Sequence, residues 1–453
     1  MDGKYDRVNA LVLGAGLSGE AAALLLLARQ GRVVMVDEGE EARVAEATAR
    51  VRQAGGRVLF RVDGLPREPF DVCVVSPAFA MNHPWVDACR RRGLPMISEL
   101  ELGGCYWRGK ILAVTGSKGK SSLVKLCADT LAGAGFTASP AGNYGIPLCR
   151  LALEKPDLAW AVTEVSSFQM EHTPTFSPDI AILLNLQADH FDRHADMAEY
   201  KALKLSLFSA MRPGAVALLP AGLSDDSKVP GGVERLRFGA DAGCDWAYAD
   251  HAVMGMLHGR VCKVELKDSW FDNEILGLAA AAGAAALRYA GLSDGQIENG
   301  LSGFQPLPHR VQRIGVSKQG VCFVDDSKAT SLAATAAALR MVKKPVRLIA
   351  GGLLKEDDLE SIKELLTQTT RKVYLIGHCA GQMYQAWSMS VPCEECGTLE
   401  RAVDLAVSEA QPGETVLLSP GTASFDQFKS YRERGERFTT QVRAVAELGT
   451  LLF

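Results

Sequence analysis

Two patterns of apolar positions alternate along most of the chain. Short apolar runs, typical of buried strands, are followed by longer segments in which apolar residues recur every three or four positions. The first pattern predicts strands and the second predicts helices. Because the two alternate through residue 208 and again from residue 321 onward, we expect an α/β protein built on parallel sheets. Residues 213–270 predict only short strands and turns.

The first predicted strand, residues 8–14, runs directly into a glycine loop. The segment Gly14-Ala-Gly-Leu-Ser-Gly19 has the spacing G-x-G-x-x-G, a helix is predicted over 20–29, and the next strand ends at Asp37. This order is close to the fingerprint of dinucleotide-binding folds, so NAD is one predicted ligand. The pyrophosphate of another nucleotide, such as a UDP-sugar, would use the same helix start, and both hypotheses stay open.

A second glycine loop follows the apolar run at residues 111–114. The turn passes through Gly116 and Gly119, and Ser121 opens a predicted helix. Glycines let a main chain approach phosphate closely, Lys120 adds a cation, and a serine hydroxyl can bind Mg²⁺. The first glycine of the usual signature is replaced, so composition alone also allows a glycine-rich turn with a solvated lysine.

Polar residues follow the next two predicted strands, residues 158–165 and 179–186. Ligands of parallel sheets lie at the carboxyl ends of strands, so we expect these residues to converge on the phosphate loop. Glu164 could hold Mg²⁺ there, although a helix cap or a surface acid is the alternative. His190 could be a ligand or a structural hydrogen bonder. Lys204, on the predicted helix after them, is by default a solvated lysine.

The C-terminal third predicts a second, doubly wound parallel sheet. Asp326-Ser-Lys328 follows one of its strands, and Lys328 could reach a phosphate; a capped helix start is the alternative. The run Ser419–Ser424, followed by Asp426, Lys429 and Arg434, is expected to place hydroxyl groups at a helix start. Such a site suits an anionic small molecule, and a capped amphipathic helix is the alternative.

A chain of 453 residues is too long for one core, so several domains are expected. Gly103-Gly104 is predicted to be a linker, and residues 300–307 a second connection. The predicted domain limits are 1–103, 104–307 and 308–453. The first domain is expected to be Rossmann-like, the central one to carry the phosphate loop, and the third to contain the doubly wound sheet.

Composition excludes several classes of protein. The chain has 47% hydrophobic and 23% charged residues and a net charge of -4, which is ordinary for a globular protein and argues against nucleic-acid binding. No apolar run is long enough for a membrane span, so a cytosolic location is expected. Eleven cysteines in mostly apolar segments predict reduced thiols, and Cys393-Glu-Glu-Cys396, without a second pair, predicts a loop rather than a zinc site.

Taken together, these segments resemble the Mur ligase superfamily, most closely its D-glutamate-adding branch. The resemblance extends over nearly the full length, in the family's order. The segments that carry it are Thr115–Ser122, Gly142-Asn-Tyr-Gly145, Glu164-Val-Ser-Ser-Phe-Gln-Met-Glu171, Asn185–His194, Tyr200-Lys-Ala-Leu-Lys204, Pro308-His-Arg310, Asp325–Thr330 and Leu418–Phe428.

The resemblance implies ATP-driven amide bond formation between UDP-MurNAc-L-Ala and D-glutamate through an acyl phosphate. The Rossmann-like first domain would hold the UDP-sugar rather than NAD. The central domain would be a P-loop-type ATPase that binds ATP with two Mg²⁺ ions, and the Rossmann-like third domain would bind the amino acid. A monomer without nucleic-acid or membrane partners is also expected.

Individual roles follow from the resemblance in the same way. Lys120, His190 and Lys204 would be catalytic. Ser121 and Glu164 would bind one Mg²⁺, and His190 with a carbamylated Lys204 a second. The nucleotide would be held by Thr115, Gly116, Ser117, Lys118, Gly119, Lys120, Ser121, Ser122, His309, Arg310, Asp326, Lys328 and Thr330. The UDP-sugar would contact Leu17, Ser18, Asp37, Asn143, Ser166 and Gln169, and D-glutamate would contact Lys355, Ser424 and Tyr431.

Three segments depart from the family pattern: Ser117-Lys118, Phe271–Ile275 and Gly351–Lys355. The departures near Ile275 and Leu353 keep a non-catalytic nucleotide-binding relic among the alternatives, whereas Ser117-Lys118 is compatible with function. Another ligase of the superfamily, such as a folylpolyglutamate synthase, should lack the N-terminal glycine loop. An NAD-dependent oxidoreductase would leave the second phosphate loop without a role.

Overall fold

The computed structural model describes residues 3–187, 193–241, 243–267, 269–354 and 358–447. Its strands form three sheets, and helices alternate with most of them, which confirms the predicted α/β class. The chain divides into two compact units, Met1–Asp272 with Gly277–Gly303 and Asn273–Leu276 with Phe304–Phe453. Across these described residues, no helix combines the length and apolar character that crossing a membrane requires.

The first sheet has five parallel strands in the order β3-β2-β1-β4-β5. Alternate residues of β1 lie in different apolar clusters, Ala10 and Val12 in one and Leu11 and Leu13 in the other, so both faces are covered. Its elements are β1 (Asn9–Leu13), α1 (Leu17–Ala28), β2 (Arg32–Asp37), α2 (Ala45–Gln53), β3 (Arg57–Phe60), β4 (Val72–Val75), α3 (Pro84–Arg91), β5 (Met96–Ser98) and α4 (Glu99–Tyr106).

The second sheet has nine strands in the order β14-β13-β12-β11-β10-β9-β6-β8-β7. The strands β6 to β12 are parallel to one another, and β13 and β14 add an antiparallel edge. The sequence patterns did not specify this edge. Its elements are β6 (Lys110–Thr115), α5 (Lys120–Gly133), β7 (Ala138–Gly142), α6 (Leu148–Glu154), β8 (Trp160–Glu164), α7 (Ser167–Met170), β9 (Ile180–Leu183), α8 (Met197–Leu205), β10 (Val216–Pro220), β11 (Glu234–Gly239), β12 (Trp246–Ala249), β13 (Ala252–Leu257), β14 (Arg260–Glu265), α9 (Leu276–Tyr289) and α10 (Asp294–Ser302).

The predicted linker at Gly103-Gly104 is wrong, because both residues lie inside helix α4. A Cβ on Gly103 would lie 2.7 Å from the main-chain N of Cys149 at the start of α6, and one on Gly104 would lie 2.8 Å from the ring of Phe176. These glycines therefore allow close helix packing rather than a flexible connection.

The first two sheets share one apolar core. Helices α1 and α4 pack on α6, and buried residues of both sheets belong to a single cluster. Arg150 on α6 donates to the fully buried carboxylate of Glu20 on α1 over 2.7 Å. The partly exposed Arg50 on α2 also pairs with Glu20. The two sheets are therefore fixed relative to each other by apolar packing and by a buried ion pair.

The second unit contains a six-stranded sheet in the order β15-β16-β20-β17-β18-β19, in which only β15 is antiparallel. Leu348 and Ile349 lie in apolar clusters on opposite faces, which confirms a doubly wound sheet. Its elements are β15 (Gln312–Val316), β16 (Cys322–Asp325), α11 (Leu332–Met341), β17 (Val346–Gly351), α12 (Lys363–Thr369), β18 (Thr370–Ile376), α13 (Ala380–Trp387), β19 (Cys393–Gly397), α14 (Leu399–Glu409), β20 (Thr415–Leu418) and α15 (Tyr431–Val445).

The segment Cys393-Glu-Glu-Cys396 was expected to be a loop, and this expectation is wrong. It forms the edge strand β19, which pairs with β18 through main-chain bonds that do not need an apolar pattern. All eleven cysteines are free thiols, as predicted.

Candidate active site

The predicted phosphate loop connects β6 to α5. Gly116 has φ of +147° and Gly119 has φ of +83°, which are backbone conformations that residues with side chains rarely adopt. A Cβ on Gly116 would also lie 3.1 Å from the main-chain N of Asn185. The glycines are therefore required both by the turn and by the close approach of the neighbouring segment.

Residues after β9 hold this loop in shape. The side-chain oxygen of Asn185 accepts hydrogen bonds from the main-chain N–H groups of Ser117 and Lys118, over 3.0 and 2.9 Å. The hydroxyl of Ser117 donates to the main-chain O of Gln187 over 2.9 Å and accepts from the hydroxyl of Tyr200 over 3.1 Å. At the start of α5, as at other helix starts, the first main-chain N–H groups point out of the helix, and an anion can bind there.

Two lysines converge on one carbonyl oxygen of the loop. Nζ of Lys120 donates to the main-chain O of Gly116 over 2.9 Å and to that of Ser117 over 3.1 Å. Nζ of Lys204, on α8, donates to the same oxygen of Gly116 over 2.8 Å. Lys204 is only 1% exposed, so its interpretation as a solvated lysine is wrong. Two lysine side chains at one turn suit the anionic oxygens of a phosphate.

Glu164 ends β8 and lies opposite Val114 on β6 and Gly142 on β7. It is 3% exposed, which excludes the surface-acid alternative, and the N-cap of the following helix is Ser166 instead. Oε1 accepts a hydrogen bond from Nδ2 of Asn143 over 2.8 Å. Within the described residues, no donor reaches the buried Oε2. A buried carboxylate oxygen at the strand end next to the phosphate loop fits a hard cation such as Mg²⁺.

The structure describes three of the other residues predicted for this site and leaves one undescribed. Ser121 and Ser122 lie half-buried in the first turn of α5, and the hydroxyl of Thr115 donates to the main-chain O of Val165 over 2.9 Å. His190 lies outside the described residues.

Ser166 and Gln169, predicted at the muramoyl end, form the capping box of α7. Oε1 of Gln169 accepts from the main-chain N of Ser166 over 2.9 Å, and the hydroxyl of Ser166 accepts from the main-chain N of Gln169. Their local role is thus to start the short helix that follows Glu164. Contact of either side chain with a ligand stays a prediction.

The glycine loop of the first sheet is built as its spacing predicts. Gly14 has φ of +97°, and a Cβ on Gly19 would lie 1.9 Å from the main-chain O of Gly14. The carboxylate of Asp37 accepts from the main-chain N–H groups of Ala15 and Gly39, both over 2.7 Å. The N-cap of α1 makes no side-chain capping bond, and Leu17 is 65% exposed beside the half-buried Ser18. This helix start can receive a pyrophosphate.

In the second unit, Asp326 follows β16 and is buried. It accepts from the main-chain N of Val311 over 3.1 Å and from the hydroxyl of Ser419 over 2.8 Å. Burial raises the pKa of Asp326 to about 7 despite these bonds. Nearby, Nδ1 of His309 lies 2.7 Å from Oδ2 of Asp325.

Lys328 and Tyr431, which were predicted for different ligands, contact each other in this unit. Nζ of Lys328 lies 4.1 Å from the centre of the Tyr431 ring. Arg310 is exposed, Thr330 is half-buried and Ser424 is 2% exposed. Lys355 lies outside the described residues. Lys328 and Thr330 follow β16, Ser424 follows β20, and Tyr431 is the first residue of α15. Ligands of parallel sheets lie beyond such carboxyl ends of strands.

The run from Ser419 to Ser424 was expected to open a helix, and this is wrong. Helix α15 begins only at Tyr431, with Ser430 as its N-cap. The earlier residues instead form a loop held by Arg434, which is fully buried and donates to the main-chain oxygens of Ser327 and Thr422 over 3.0 and 3.1 Å. Burial lowers the pKa of Arg434 to about 10. Loop shape here depends on a side chain from the following helix.

Sequence reasoning assigned no individual role to Asn185 or Tyr200, and it named Arg434 only beside the predicted anion site. Tyr200 and Lys204 are four residues apart on one helix, so a shared face was available as a signal. Asn185 lies at the end of a predicted strand, where polar residues were expected to converge on the loop. No local pattern identified Arg434 as buried.

A cleft of about 650 Å³ lies elsewhere in the first unit. Lys110, Trp160 and Asp179 are among its lining residues, so it adjoins the amino-terminal ends of β6, β8 and β9. The phosphate loop and Glu164 lie at the opposite, carboxyl ends of these strands, where parallel sheets bind ligands.

Comparison with known families gives matches along much of the chain. Residues 114–264 match the Mur ligase middle domain, and residues 309–421 match the Mur ligase, glutamate ligase domain. Residues 9–162 also match an FAD binding domain. This match includes both glycine loops between a strand and a helix, a feature that nucleotide-binding folds of several kinds share.

Full-length relatives extend over almost the whole chain. A UDP-N-acetylmuramoylalanine–D-glutamate ligase from Koribacter versatilis is 33% identical over 467 aligned residues, covering 99% of each chain. A protein of the same name from Nitratidesulfovibrio vulgaris is 35% identical and covers 96% of each chain. A MurF ligase from Thermotoga maritima, solved with ADP, has a TM-score of 0.59 and 17% identity, covering 91% of this chain and 96% of its own.

The fold and the phosphate loop thus define a nucleotide-using α/β enzyme with three sheets. The chain belongs to the Mur ligase family. Membership of this family implies that the chain uses ATP and Mg²⁺.

Proposed function

We propose that this chain is an ATP-dependent ligase that joins D-glutamate to UDP-N-acetylmuramoyl-L-alanine, a step in the synthesis of peptidoglycan precursors. The proposal depends on one structural observation above all, the convergence of Lys120 and Lys204 on the loop carbonyl of Gly116 beside Glu164. The full-length relatives that carry the D-glutamate ligase name support this substrate choice.

The reaction joins a carboxylate to an amine. In water at neutral pH, this amide bond does not form unless the carboxylate is activated. A carboxylate oxygen of the L-alanyl group attacks the γ-phosphorus of ATP and ADP leaves, giving an acyl phosphate. The amine of D-glutamate attacks the acyl carbon, the amide bond forms and inorganic phosphate leaves with the former carboxylate oxygen. Both steps need alignment of anions and neutralisation of their charge more than they need acid–base catalysis.

The cations of the loop would supply that neutralisation. We assign Lys120 and the first-turn N–H groups of α5 to the β- and γ-phosphates of ATP. Residues 115–122 form this cradle, and their glycines keep the main chain within reach of the phosphate oxygens. Ser121 and Glu164 would hold Mg²⁺, which, when bound, draws negative charge from the phosphates.

Lys204 has a second proposed role. As an ammonium group it shares the oxygen of Gly116 with Lys120, and two such cations repel each other. Reaction of its neutral amine with CO₂ would give a carbamate, an anionic oxygen ligand. Together with His190, this carbamylated lysine would hold a second Mg²⁺.

The remaining assignments concern the substrates. The UDP-sugar is assigned to the first glycine loop with Leu17, Ser18 and Asp37, and its muramoyl end to Asn143, Ser166 and Gln169. His309, Arg310, Asp326, Lys328 and Thr330 are assigned to the nucleotide, and Lys355, Ser424 and Tyr431 to D-glutamate. The domain limits 1–103, 104–307 and 308–453, the monomeric state and the cytoplasmic location also stay predictions.

Phosphate release tests the proposed function directly. The full chain is incubated with ATP, Mg²⁺ and UDP-MurNAc-L-Ala in three parallel assays. One also contains D-glutamate, one contains L-glutamate, and one contains neither amino acid. We expect sustained release only with D-glutamate, and loss of turnover in Lys120→Ala. A parallel incubation replaces UDP-MurNAc-L-Ala by a folate and supplies L-glutamate, and sustained release only there would identify a folylpolyglutamate-type ligase. Absence of release with every acceptor would identify a nucleotide-binding relic.

A further inference from the structure

We propose that Arg193 is a positioning residue that connects the UDP-sugar loop of the first sheet to the phosphate loop of the second. It lies on neither loop, and it acts through the main-chain and side-chain groups that it holds. The inference rests on the proposed function, because it assigns the first glycine loop to the UDP-sugar.

Arg193 is 12% exposed, and its guanidinium group binds residues that follow β4 of the first sheet and α7 beside the second. Nη1 donates to the main-chain O of Pro77 over 2.6 Å, and Nη2 donates to that of Phe79 over 2.9 Å. Nη2 and Nε also donate to the carboxylate of Glu171, over 2.7 and 3.1 Å. Glu171 is 5% exposed, so this pair is largely shielded from water. A planar fork with donors in several directions can make these bonds together, and an ammonium group cannot.

The two carbonyl groups belong to the loop that covers the first glycine turn. Pro77 and Phe79 follow β4, and the main-chain N of Ser76 donates to the O of Leu13 at the end of β1. A Cβ on Gly14 would lie 2.7 Å from the hydroxyl of Ser76 and 3.1 Å from the ring of Phe79. A shift of the segment that Arg193 holds would therefore move groups in direct contact with Gly14.

The residues after Arg193 reach the phosphate loop. Nε2 of the neighbouring His194 lies 2.9 Å from the hydroxyl of Ser167, and its ring packs 5.3 Å from the ring of Tyr200. Tyr200 donates to Ser117, and Lys204 on the same helix donates to Gly116. The segment 193–204 thus contacts the phosphate loop through Tyr200 and Lys204. Its first residue contacts the segment that covers the first glycine turn, so displacement of Arg193 also affects the alignment of the two substrates.

Two variants and one control test this connection in the full chain. Arg193→Lys keeps the charge and loses the fork, while Glu171→Gln keeps the shape and loses the charge. Arg91→Lys, at an exposed arginine of α3, is the control. The measurements are the Kd of UDP-MurNAc-L-Ala without ATP, the KM values of the UDP-sugar and ATP, and the Tm.

We expect Arg193→Lys to raise the Kd and KM for the UDP-sugar about tenfold and Glu171→Gln to raise them about threefold. The KM for ATP should change less than about twofold, and the control should match the parent chain. The inference is overturned if the UDP-sugar values stay unchanged in a variant that folds, or if KM rises equally for both substrates, as general loss of structure would cause. A parent chain without ligase turnover would overturn the proposed function itself, whatever these variants do.

Discussion

Nζ of Lys204 donates a hydrogen bond to the main-chain oxygen of Gly116, 88 residues earlier in the chain. This bond brings a helix that lies after β9 onto the turn that follows β6. It also places a buried cation where the sequence predicted phosphate. The site is therefore assembled from distant segments, and substitutions on α8 should alter the phosphate loop.

Replacement of Lys204 by alanine tests its proposed carbamate. Lys204→Ala should lower kcat by at least about a hundredfold, because the site would lose an oxygen ligand for Mg²⁺. Formate or acetate should restore part of the activity, since each supplies a small carboxylate to the space that the side chain leaves. Steady-state assays with and without these anions make the measurement. Equal loss of activity with and without them would contradict the carbamate.

Glu164→Gln tests the predicted metal ligand. The amide keeps the size and one oxygen but loses the charge, so the Mg²⁺ concentration for half-maximal activity should rise at least about tenfold. Glu154→Gln, at a side chain that is 56% exposed on α6, is the matched control and should leave the Mg²⁺ dependence unchanged. A titration in which both variants follow the parent chain would remove Glu164 from the metal site.

The two glycine loops could be predicted because the sequence pattern that identifies each of them is local. A strand, a glycine turn and a helix start occupy about a dozen consecutive residues, and their spacing is visible in the sequence. Burial of Lys204 could not be predicted in the same way, since helical spacing places the residue on a face but does not say which distant carbonyl covers it. The bracing of the loop by Asn185 also depends on contacts between distant segments.

Gly103→Ala should destabilise the first unit by about 1–3 kcal/mol, although alanine favours helices. The added Cβ would meet the main chain of Leu148 and Cys149 at 2.8 and 2.7 Å, and that overlap outweighs the helical preference of up to about 1 kcal/mol. Gly133→Ala is the control, because its Cβ would meet no atom within 4 Å in helix α5. Urea unfolding should show the control at least as stable as the parent chain. A Gly103→Ala variant of equal stability would contradict the packing role.

The misplaced linker and the missed strand β19 have a common cause. Glycine in a sequence is compatible with a flexible connection and with close helix contact, and only the partner helix 45 residues later decides between them. Edge strands such as Cys393–Gly397 pair through the main chain on one side, so their side chains need not alternate. Edges and helix contacts are thus the parts of this fold that local patterns predict least well.

The buried carboxyl of Glu99 predicts a pH dependence of stability. Burial raises the pKa of Glu99 to about 7, against the lowering effect of the bond from the main-chain N of Cys149. Between the unfolded value near 4.5 and this value, the folded chain holds a proton that the unfolded chain releases. Stability should therefore fall as pH rises through this window.

Glu99→Gln removes that titration and isolates its effect. From pH 5 to pH 8, the free energy of unfolding of the variant should rise relative to the parent chain by about 2 kcal/mol. Urea unfolding of both chains at the two pH values gives this difference. The pKa of His172, which burial lowers to about 4, has the opposite effect on stability, but it is common to both chains and cancels. A difference that does not change with pH would contradict the buried, protonated Glu99.

Transfer of an isotope tests the proposed reaction most directly. The L-alanyl carboxylate of UDP-MurNAc-L-Ala is labelled with ¹⁸O, and the full chain is given ATP, Mg²⁺ and D-glutamate. Attack of this carboxylate on ATP predicts one ¹⁸O atom in each inorganic phosphate released, together with one new amide bond. Mass spectrometry of the phosphate would contradict the proposed acyl phosphate if the product forms while the released phosphate carries no label.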